Sequence, residues 1–388
     1  MALASRGEPH GEPVTGSATA TVLSVPADLR SMKAVYYEEH GDTGVIEYDD
    51  LADPEIARDE CLVDIRAGGL NHLDVWTRRG MPSPGEFPHI PGSDGAGVVS
   101  AVGEDVDRFE AGDRVAVAPG TACGSCEFCR DGDYSNCENF ALIGEHTRGV
   151  HSERAAVPED NLVGVPDGVD FVRAAAAPLV FQTAWRMLTT RAGVEQGEKV
   201  LVHGASGGVG HAAVQIADNA GAEVWATASS EAKLELAADC GADHLVNYDE
   251  DDFVDAVRGD TDGRGMDVVV DHVGAATWQD SISACAKGGR LVTCGATSGP
   301  KPETDIAQIF WKQLDVLGST MGTPGEMDDV LSLVWDGTLT PYVREVLPMS
   351  ETARAHEMLQ DREGFGSVVV VPDDEYEAGT YGDVTGSI

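Results

Sequence analysis

Four of the eight cysteines in this 388-residue chain lie close together, at spacings of two, two and seven residues. Four thiolates at such spacings can surround a zinc ion tetrahedrally, each about 2.3 Å from the metal. Two disulfides are an alternative that a reducing cytoplasm disfavours. A four-iron cluster would need a different third spacing and a proline after the last cysteine, whereas Glu138 follows here. The pattern predicts a closed structural zinc site at Cys123, Cys126, Cys129 and Cys137.

A glycine-rich turn is the second chemical signal, between the apolar residues 200–202 and a segment with helical apolar spacing. A strand, a tight turn and a helix present unpaired N–H groups and the positive end of the helix dipole to a pyrophosphate. The motif varies the dinucleotide fingerprint, with Ala in place of the first Gly, and alone it is also consistent with a simple turn. Because strands and helices continue to alternate after it, we predict a nucleotide site at Ala205, Ser206, Gly207, Gly208, Val209 and Gly210.

The chain carries 67 acidic and 26 basic residues, a formal net charge of −41, and the acids are spread along its length. A surface of one sign repels itself unless salt screens it, so the composition favours adaptation to a high-salt cytoplasm over an ordinary acidic enzyme. Phosphate binding needs a basic face, and no nucleic-acid partner is expected. No apolar run is as long as a membrane span, which needs about 18 residues, and no secretory signal is recognisable. The sequence predicts a cytoplasmic protein without a membrane partner.

The positions of short strands and turns divide the chain into two kinds of structure. Residues 32–120 alternate β-like runs with glycine and proline turns, which indicates a compact β-rich domain, and the cysteine lobe follows at 121–145. A helical pattern covers residues 172–191. Further on, strands are predicted at 199–204, 223–228, 244–247, 266–271, 290–294 and 315–319, and helices at 209–220, 230–239, 251–258, 276–286, 304–313 and 324–336. Such alternation predicts a parallel, doubly wound sheet.

The two ends of the chain have compositions unlike the rest. Residues 1–31 are rich in Gly, Ala, Ser, Thr and Pro without periodicity, and we predict a disordered extension. Residues 340–371 have the pattern of one helix and short strands. Residues 373–388 are acidic, without Lys or Arg, and we expect a frayed tail.

Together these features resemble the medium-chain dehydrogenase/reductase superfamily, which includes zinc alcohol dehydrogenases and quinone reductases. The likeness covers residues 32–371 and rests on the cysteine spacing and on the segment 92–99, GSDGAGVV. It implies an α/β fold with a β-rich GroES-like catalytic domain, residues 32–180 with 317–372, beside a doubly wound Rossmann NAD(P)-binding domain, residues 181–316. It also implies a homodimer or homotetramer, since residues 314–318 resemble the edge strand through which the family dimerises.

The chain departs from the zinc alcohol dehydrogenases at their catalytic zinc. Their first ligand is a cysteine where this chain has Asn71, and their second is the histidine of a Gly-His-Glu triplet where this chain has Gly92-Ser93-Asp94. Their third is a cysteine near Leu179. The Asn71 segment instead resembles quinone reductases, which carry no catalytic zinc. A different metal site, built from His72, Asp94 and His89, is the less favoured alternative.

The choice of nicotinamide cofactor depends on the residues after the predicted strand 223–228. An NAD-binding sheet places an acid at the end of its second strand, whereas Ser229 and Ser230 follow here. The serines and Lys233 are able to donate hydrogen bonds to a 2′-phosphate, although helix capping would suit the serines equally well. Tyr248 matches a tyrosine that quinone reductases place nearby. We therefore favour NADPH over NADH.

The sequence thus predicts an NADPH-dependent oxidoreductase that transfers hydride to a small molecule, a quinone or conjugated enone, with zinc only in the cysteine lobe. The cofactor supplies the hydride, and the protein supplies orientation and a dry pocket. The resemblance implies that Asn71 contacts the nicotinamide or the acceptor oxygen, with His72 as its neighbouring catalytic candidate, and that Thr183 and Gly295 line the nicotinamide pocket. The alternatives are an alcohol or aldehyde dehydrogenase with altered ligands, and a nucleotide-binding redox sensor without turnover.

Overall fold

The structure is a computed structural model that describes residues 31–81, 83, 85–361 and 364–379. The predicted disordered extension lies outside the described residues except for Ser31, which opens the first strand. No described helix has both the length and the apolar character needed to cross a membrane.

The strands are β1 (Ser31–Tyr36), β2 (Glu47–Ala52), β3 (Glu60–Leu70), β4 (Asp94–Val102), β5 (Arg114–Val117), β6 (Gly120–Thr121), β7 (Ala141–Leu142), β8 (Arg154–Pro158), β9 (Leu162–Gly164), β10 (Lys199–Val202), β11 (Glu223–Ala228), β12 (His244–Asn247), β13 (Met266–Val270), β14 (Cys285–Thr293), β15 (Asp315–Gly318), β16 (Val343–Pro348) and β17 (Ser367–Val371). The α-helices are α1 (His72–Arg78), α2 (Glu127–Arg130), α3 (Phe171–Ala175), α4 (Pro178–Trp185), α5 (Gly208–Asn219), α6 (Glu231–Asp239), α7 (Phe253–Asp260), α8 (Trp278–Ala284), α9 (Ile306–Lys312), α10 (Pro324–Trp335), α11 (Thr352–Gln360) and α12 (Asp373–Ala378).

The second half of the chain builds a six-stranded parallel sheet in the order β12-β11-β10-β13-β14-β15. Both faces of this sheet are buried: Val200 and Val202 of β10 belong to one apolar cluster, and Leu201 between them belongs to another. The chain order reverses between β10 and β13. Ligands of open α/β sheets bind beyond the carboxyl ends of the strands at such a switch point. The prediction of a doubly wound sheet is confirmed.

The β-rich domain is organised around β3, which pairs with β4, β8 and β17. The sheet runs β16-β17-β3-β4-β5-β9, so the C-terminal strands join a sheet begun near the N-terminus. In the antiparallel β3–β4 pair, Gly69 lies opposite Asp94. This register places Asn71, just after β3, close to the start of β4.

Three local expectations were wrong. The helical pattern at 172–191 is divided into α3, α4 and a π-helical segment, Arg186–Ala192, because Pro178 has no N–H to continue a preceding helix and starts α4 instead. The helix predicted at 276–286 ends at Ala284. The nine-residue strand β14 then begins at Cys285. The start of the expected frayed tail forms α12, and Glu375 of that helix pairs with Arg66.

Candidate active site

The three segments that resemble metal-ligand segments meet at the side chain of Asp94. The amide Nδ2 of Asn71 donates to Asp94 Oδ2 at 2.8 Å, and the backbone N–H of Leu179 donates to Asp94 Oδ1 at 2.9 Å. Asn71 and Asp94 are both buried. An amide nitrogen and a backbone N–H donate to a carboxylate, and an aliphatic side chain does not bind a metal ion. The segments therefore form a hydrogen-bonded network.

Asn71 owes its position to the start of α1. Its backbone N–H donates to Asp74 Oδ2 at 2.7 Å, and the N–H of Gly92 donates to Asp74 Oδ1 at 3.0 Å. A carboxylate three residues after the N-cap, the residue that precedes a helix, accepts hydrogen bonds from backbone N–H groups that the helix itself leaves unpaired. Asp74 thereby joins the beginning of α1 to the segment before β4.

The carboxyls of this region are buried, and burial changes their acidity. Loss of solvation raises the pKa of Asp94 to about 8, against the opposing effect of its hydrogen bonds from Asn71 and Leu179. Burial likewise raises the pKa of Asp74 to about 7 and that of Glu145 to about 7. Perturbed carboxyls of this kind are concentrated at functional sites. The network therefore contains groups that change protonation near neutral pH.

The alternative metal set does not come together. Ser93 donates to the carbonyl of Ile143 at 2.7 Å, and His89 is fully buried with Nε2 3.0 Å from the carbonyl of Gly144. His72 begins α1 and its ring lies 6.3 Å from that of Trp76. Among the described residues, the four lobe cysteines are the one group of three or more His, Cys, Asp or Glu side chains close enough to share an ion.

The predicted nicotinamide-pocket residue Thr183 lies one helical turn after Leu179 on α4, hence on the same face. Its hydroxyl is 3.6 Å from the sulfur of Met321. Met321 has a positive φ of 45°, which is uncommon for a residue with a side chain. Gly295 follows β14, and a Cβ built on it would lie 3.6 Å from the carbonyl of His272, which follows β13. The structure thus places Thr183 one turn beyond Leu179 on α4, against Met321, and Gly295 at the carboxyl edge of the parallel sheet.

The glycine loop lies at the switch point, between β10 and α5. A Cβ on Gly210 would be 2.1 Å from the carbonyl oxygen of Gly204, so only glycine lets α5 approach the strand this closely. A Cβ on Gly208 would lie 2.8 Å from Val180, so this glycine permits packing against α4. Gly207 has no such neighbour within 3.4 Å. Gly207 and the N–H groups of the first turn of α5 are the groups that would hold the pyrophosphate of a dinucleotide.

The loop is also tied to the returning β-rich domain. The carbonyl of Ser206 accepts from the N–H of Gly366, and His211 Nε2 accepts from the N–H of Tyr342 at 3.3 Å. Nδ1 of the same ring lies 3.1 Å from the carbonyl of Gly207. His211 is fully buried, and burial lowers its pKa to about 4, so a neutral ring holds α5 to the segment before β16.

The residues predicted to contact a 2′-phosphate come from the segment between β11 and α6, from α6 itself and from the position just after β12. Ser230 precedes α6, but its side chain makes no capping hydrogen bond. Lys233 donates to the hydroxyl of Ser229 at 3.3 Å. Tyr248 is 46% exposed, and its backbone N–H donates to the carbonyl of Ala228 at the end of β11. Ser229 and Ser230 directly follow β11, Lys233 reaches Ser229, and the backbone of Tyr248 is bonded to the end of the strand; no acid stands between β11 and α6.

The four cysteines of the lobe lie close together in space as well as in sequence. All four sulfurs lie within 4.8 Å of one another; Cys126 and Cys129 are 3.5 Å apart, and Cys123 and Cys129 are 4.0 Å apart. A tetrahedron with bonds of about 2.3 Å has edges of about 3.8 Å. Backbone donors from Ser125 and Cys126 lower the pKa of Cys123 to about 5, which favours the thiolate, whereas burial raises the pKa of Cys129 to about 12. The donor set fits a closed zinc site with no open position for substrate.

Arg186 connects the cysteine lobe to α10, and sequence reasoning missed it. Its guanidinium is 2.7 Å from Asp133, between the third and fourth cysteines, and 2.9 Å from Glu326 at the start of α10. Sequence reasoning also considered Asp94 only as a metal ligand. The only local signal for its actual contacts was the acid in Gly92-Ser93-Asp94, since the amide partner comes from another segment.

A β-rich GroES-like domain, a Rossmann domain with a glycine loop at its switch point and a cysteine lobe define a class of nicotinamide-dependent dehydrogenases and reductases. Residues 57–167 match the alcohol dehydrogenase GroES-like domain, and residues 208–336 match the zinc-binding dehydrogenase family.

The relatives agree with this class. The chain is 34% identical over 350 residues to a quinone oxidoreductase from Pseudomonas aeruginosa, covering 88% of this chain and 99% of that protein. It is 28% identical over 325 residues to an acryloyl-coenzyme A reductase from Sulfurisphaera tokodaii, covering 84% and 96%. A solved structure of an NAD-dependent alcohol dehydrogenase superposes with a TM-score of 0.85 and 44% identity, covering 88% and 99%. The chain belongs to the medium-chain dehydrogenase/reductase superfamily and is an NAD(P)-dependent oxidoreductase.

Proposed function

We propose that this oxidoreductase uses NADPH to reduce quinones or conjugated enones, and that its zinc is structural only. The observation that carries the proposal is the network of Asn71, Asp94 and Leu179. Stabilising the alkoxide that forms from an unactivated carbonyl asks for a metal ion or an equivalent group. An amide, a backbone N–H and an aliphatic side chain orient an acceptor without polarising it strongly.

The relatives support an acceptor of this chemical class. Quinones and acryloyl thioesters both carry a C=C bond conjugated to a carbonyl, and these are the acceptors named for two relatives at 34% and 28% identity. Conjugation spreads the incoming electron pair towards the oxygen, so the site has less transition-state charge to stabilise.

The chain's own residues bind and orient in this proposal, and a bound nicotinamide would supply the hydride. Asn71 has one N–H committed to Asp94 and a second that is able to donate to the acceptor oxygen. The proton that completes the reduction comes from solvent. Asp94 acts through Asn71 and is a positioning residue. Ser229, Ser230 and Lys233 bind the 2′-phosphate, with Tyr248 beside them.

An alcohol dehydrogenase is the second candidate, because the 44%-identical structure is an NAD-dependent alcohol dehydrogenase. A panel of quinones, enones and primary alcohols, each assayed with both cofactors before and after chelation, separates the two. The proposal expects NADPH-dependent reduction of quinones or enones that survives the chelator. Alcohols should be poorer by at least about tenfold in kcat/KM, or about 1.4 kcal/mol. Robust, chelator-sensitive alcohol oxidation with NAD⁺ would establish the alternative.

Three further properties belong to the proposal. The net charge of −41 supports the proposal that the enzyme functions in a high-salt cytoplasm, where salt screens the repulsion between surface acids. The edge position of β15 supports a homodimer or homotetramer joined through that strand. The composition, 67 acidic against 26 basic residues, argues against a nucleic-acid partner.

A further inference from the structure

Arg78, the last residue of α1, is completely buried and has few partners. Its Nη2 donates to the side-chain oxygen of Gln360, at the end of α11, at 2.6 Å. Its Nε and Nη1 have no hydrogen-bond partner. A guanidinium carries five N–H donors and does not lose its proton in proteins, so the charge is present in the interior.

No carboxylate of the part of the chain that the structure describes lies within 4 Å of the Arg78 guanidinium. Asp42 and Glu357 are the acids whose charges act on it most strongly. The side chain of Asp42 is 95% exposed and lies 3.8 Å from Arg79, and Glu357 is exposed and accepts from Thr43. A buried charge is tolerated when it is paired and hydrogen-bonded. Neither acid provides that pairing inside the protein.

Other donors without partners surround this guanidinium. His356 precedes Gln360 by one turn on α11 and so shares its face; it is fully buried and neither ring nitrogen has a partner. Tyr37 is also fully buried with an unpartnered hydroxyl. The Arg78 charge acts on both side chains, and the buried carboxyl of Asp74, also on α1, acts on Tyr37. The interior between α1, α11 and β1 therefore combines one unpaired cation with hydrogen-bond donors.

We propose that this interior, formed by Arg78, His356 and Tyr37, binds a small monovalent inorganic anion of the size of chloride. The anion accepts from Nε and Nη1 of Arg78 and supplies the missing negative charge. A water molecule would satisfy the donors but would leave the charge unpaired. The side chains that form the site are fully buried, which favours a single-atom anion over phosphate or a carboxylate.

Bromide identifies such a site because it replaces chloride and scatters anomalously. Crystals of the full chain are transferred from sodium chloride to sodium bromide, and diffraction is measured above the bromine absorption edge. The proposal expects an anomalous peak within hydrogen-bond reach of Arg78 Nε or Nη1. Density for water there without an anomalous signal would refute it.

The Gln360→Glu variant gives a matched chemical test, because it places a carboxylate of the same shape beside Arg78. It should remove the bromide peak. Thermal unfolding at constant potassium, with glutamate exchanged for chloride, should show a midpoint for the native chain at least about 2 °C higher in chloride. Arg79→Met, at the neighbouring half-exposed residue, should keep that response, and Gln360→Glu should lose it. An equal chloride response in the native chain and Gln360→Glu would overturn the proposal. This comparison needs no variant of Arg78 itself, so it stands even if such a variant does not fold.

Discussion

Asn71 and Asp94 are joined by a hydrogen bond of 2.8 Å between Nδ2 of the amide and Oδ2 of the carboxyl. The two residues stand where zinc alcohol dehydrogenases carry metal-ligating segments. One comes just after β3 and the other begins β4, so the pairing of these strands sets their separation. The bond fixes the Asn71 amide, and several measurable consequences depend on it.

Replacing Asn71 by Ala should lower kcat/KM for a quinone or enone about tenfold, or about 1.4 kcal/mol, because the acceptor oxygen loses a donor. The dissociation constant for NADPH, measured by fluorescence titration, should stay within a factor of about two. Asn219→Ala, at the exposed end of α5, is the matched control and should leave both quantities unchanged. Unchanged kcat/KM in Asn71→Ala would show that Asn71 does not contact the acceptor.

The acidity of Asp94 predicts a pH-dependent stability. Burial raises its pKa from 3.8 to about 8, so between these values the folded chain holds a proton that the unfolded chain has lost. The stability contribution of Asp94 therefore falls as pH rises through that window. The Asp94→Asn side chain has no ionisable group. Because the native chain and the variant both keep Asp74, the titration of Asp74 cancels when the two are compared. Unfolding midpoints at pH 5 and pH 9 should show the native chain losing stability relative to Asp94→Asn. A constant difference would contradict the raised pKa.

Lys233→Ala should weaken NADPH binding by about 1–3 kcal/mol, the usual contribution of a charge-assisted hydrogen bond, and leave NADH binding nearly unchanged. Calorimetric titration with both cofactors measures the effect. Lys287→Ala, at an exposed lysine of β14, is the control. Equal losses for the two cofactors would mean that Lys233 does not contact the 2′-phosphate.

Cys126→Ser should reduce the zinc content from one ion per chain to near zero and lower the unfolding midpoint, because a closed thiolate site contributes folding free energy. Elemental analysis and thermal unfolding measure the two effects. Cys240→Ala, at a buried cysteine outside the lobe, should keep one zinc per chain. Two zinc ions per native chain would contradict an active site without metal.

Trp311→Glu should dissociate the proposed dimer. Trp311 and Phe310 on α9 are 74% and 60% exposed, and Val316 on the edge strand β15 is 42% exposed. A large exposed apolar patch marks an interaction surface. Light scattering after size exclusion should give half the mass for this variant. Leu245→Glu, on the opposite edge strand β12, should leave the mass unchanged. A native chain that is monomeric at micromolar concentration would exclude the dimer.

The sequence alone determined the features whose causes are local. Short apolar runs predicted β11 and β12 residue for residue, and the cysteine spacing singled out four residues whose sulfurs lie within 4.8 Å of one another. The glycine fingerprint and the absence of an acid between β11 and α6 are also visible in the sequence. Such patterns depend on backbone preference and on a few neighbouring residues.

The tertiary structure decided what comes from distant parts of the chain. Asp94 meets Asn71 and Leu179 across separations of 23 and 85 residues, and Arg186 joins Asp133 to Glu326. The unpaired guanidinium of Arg78 is likewise invisible until α11 packs against α1. The reason is physical: hydrogen-bond partners and desolvation depend on which elements pack together, and no local pattern encodes that burial.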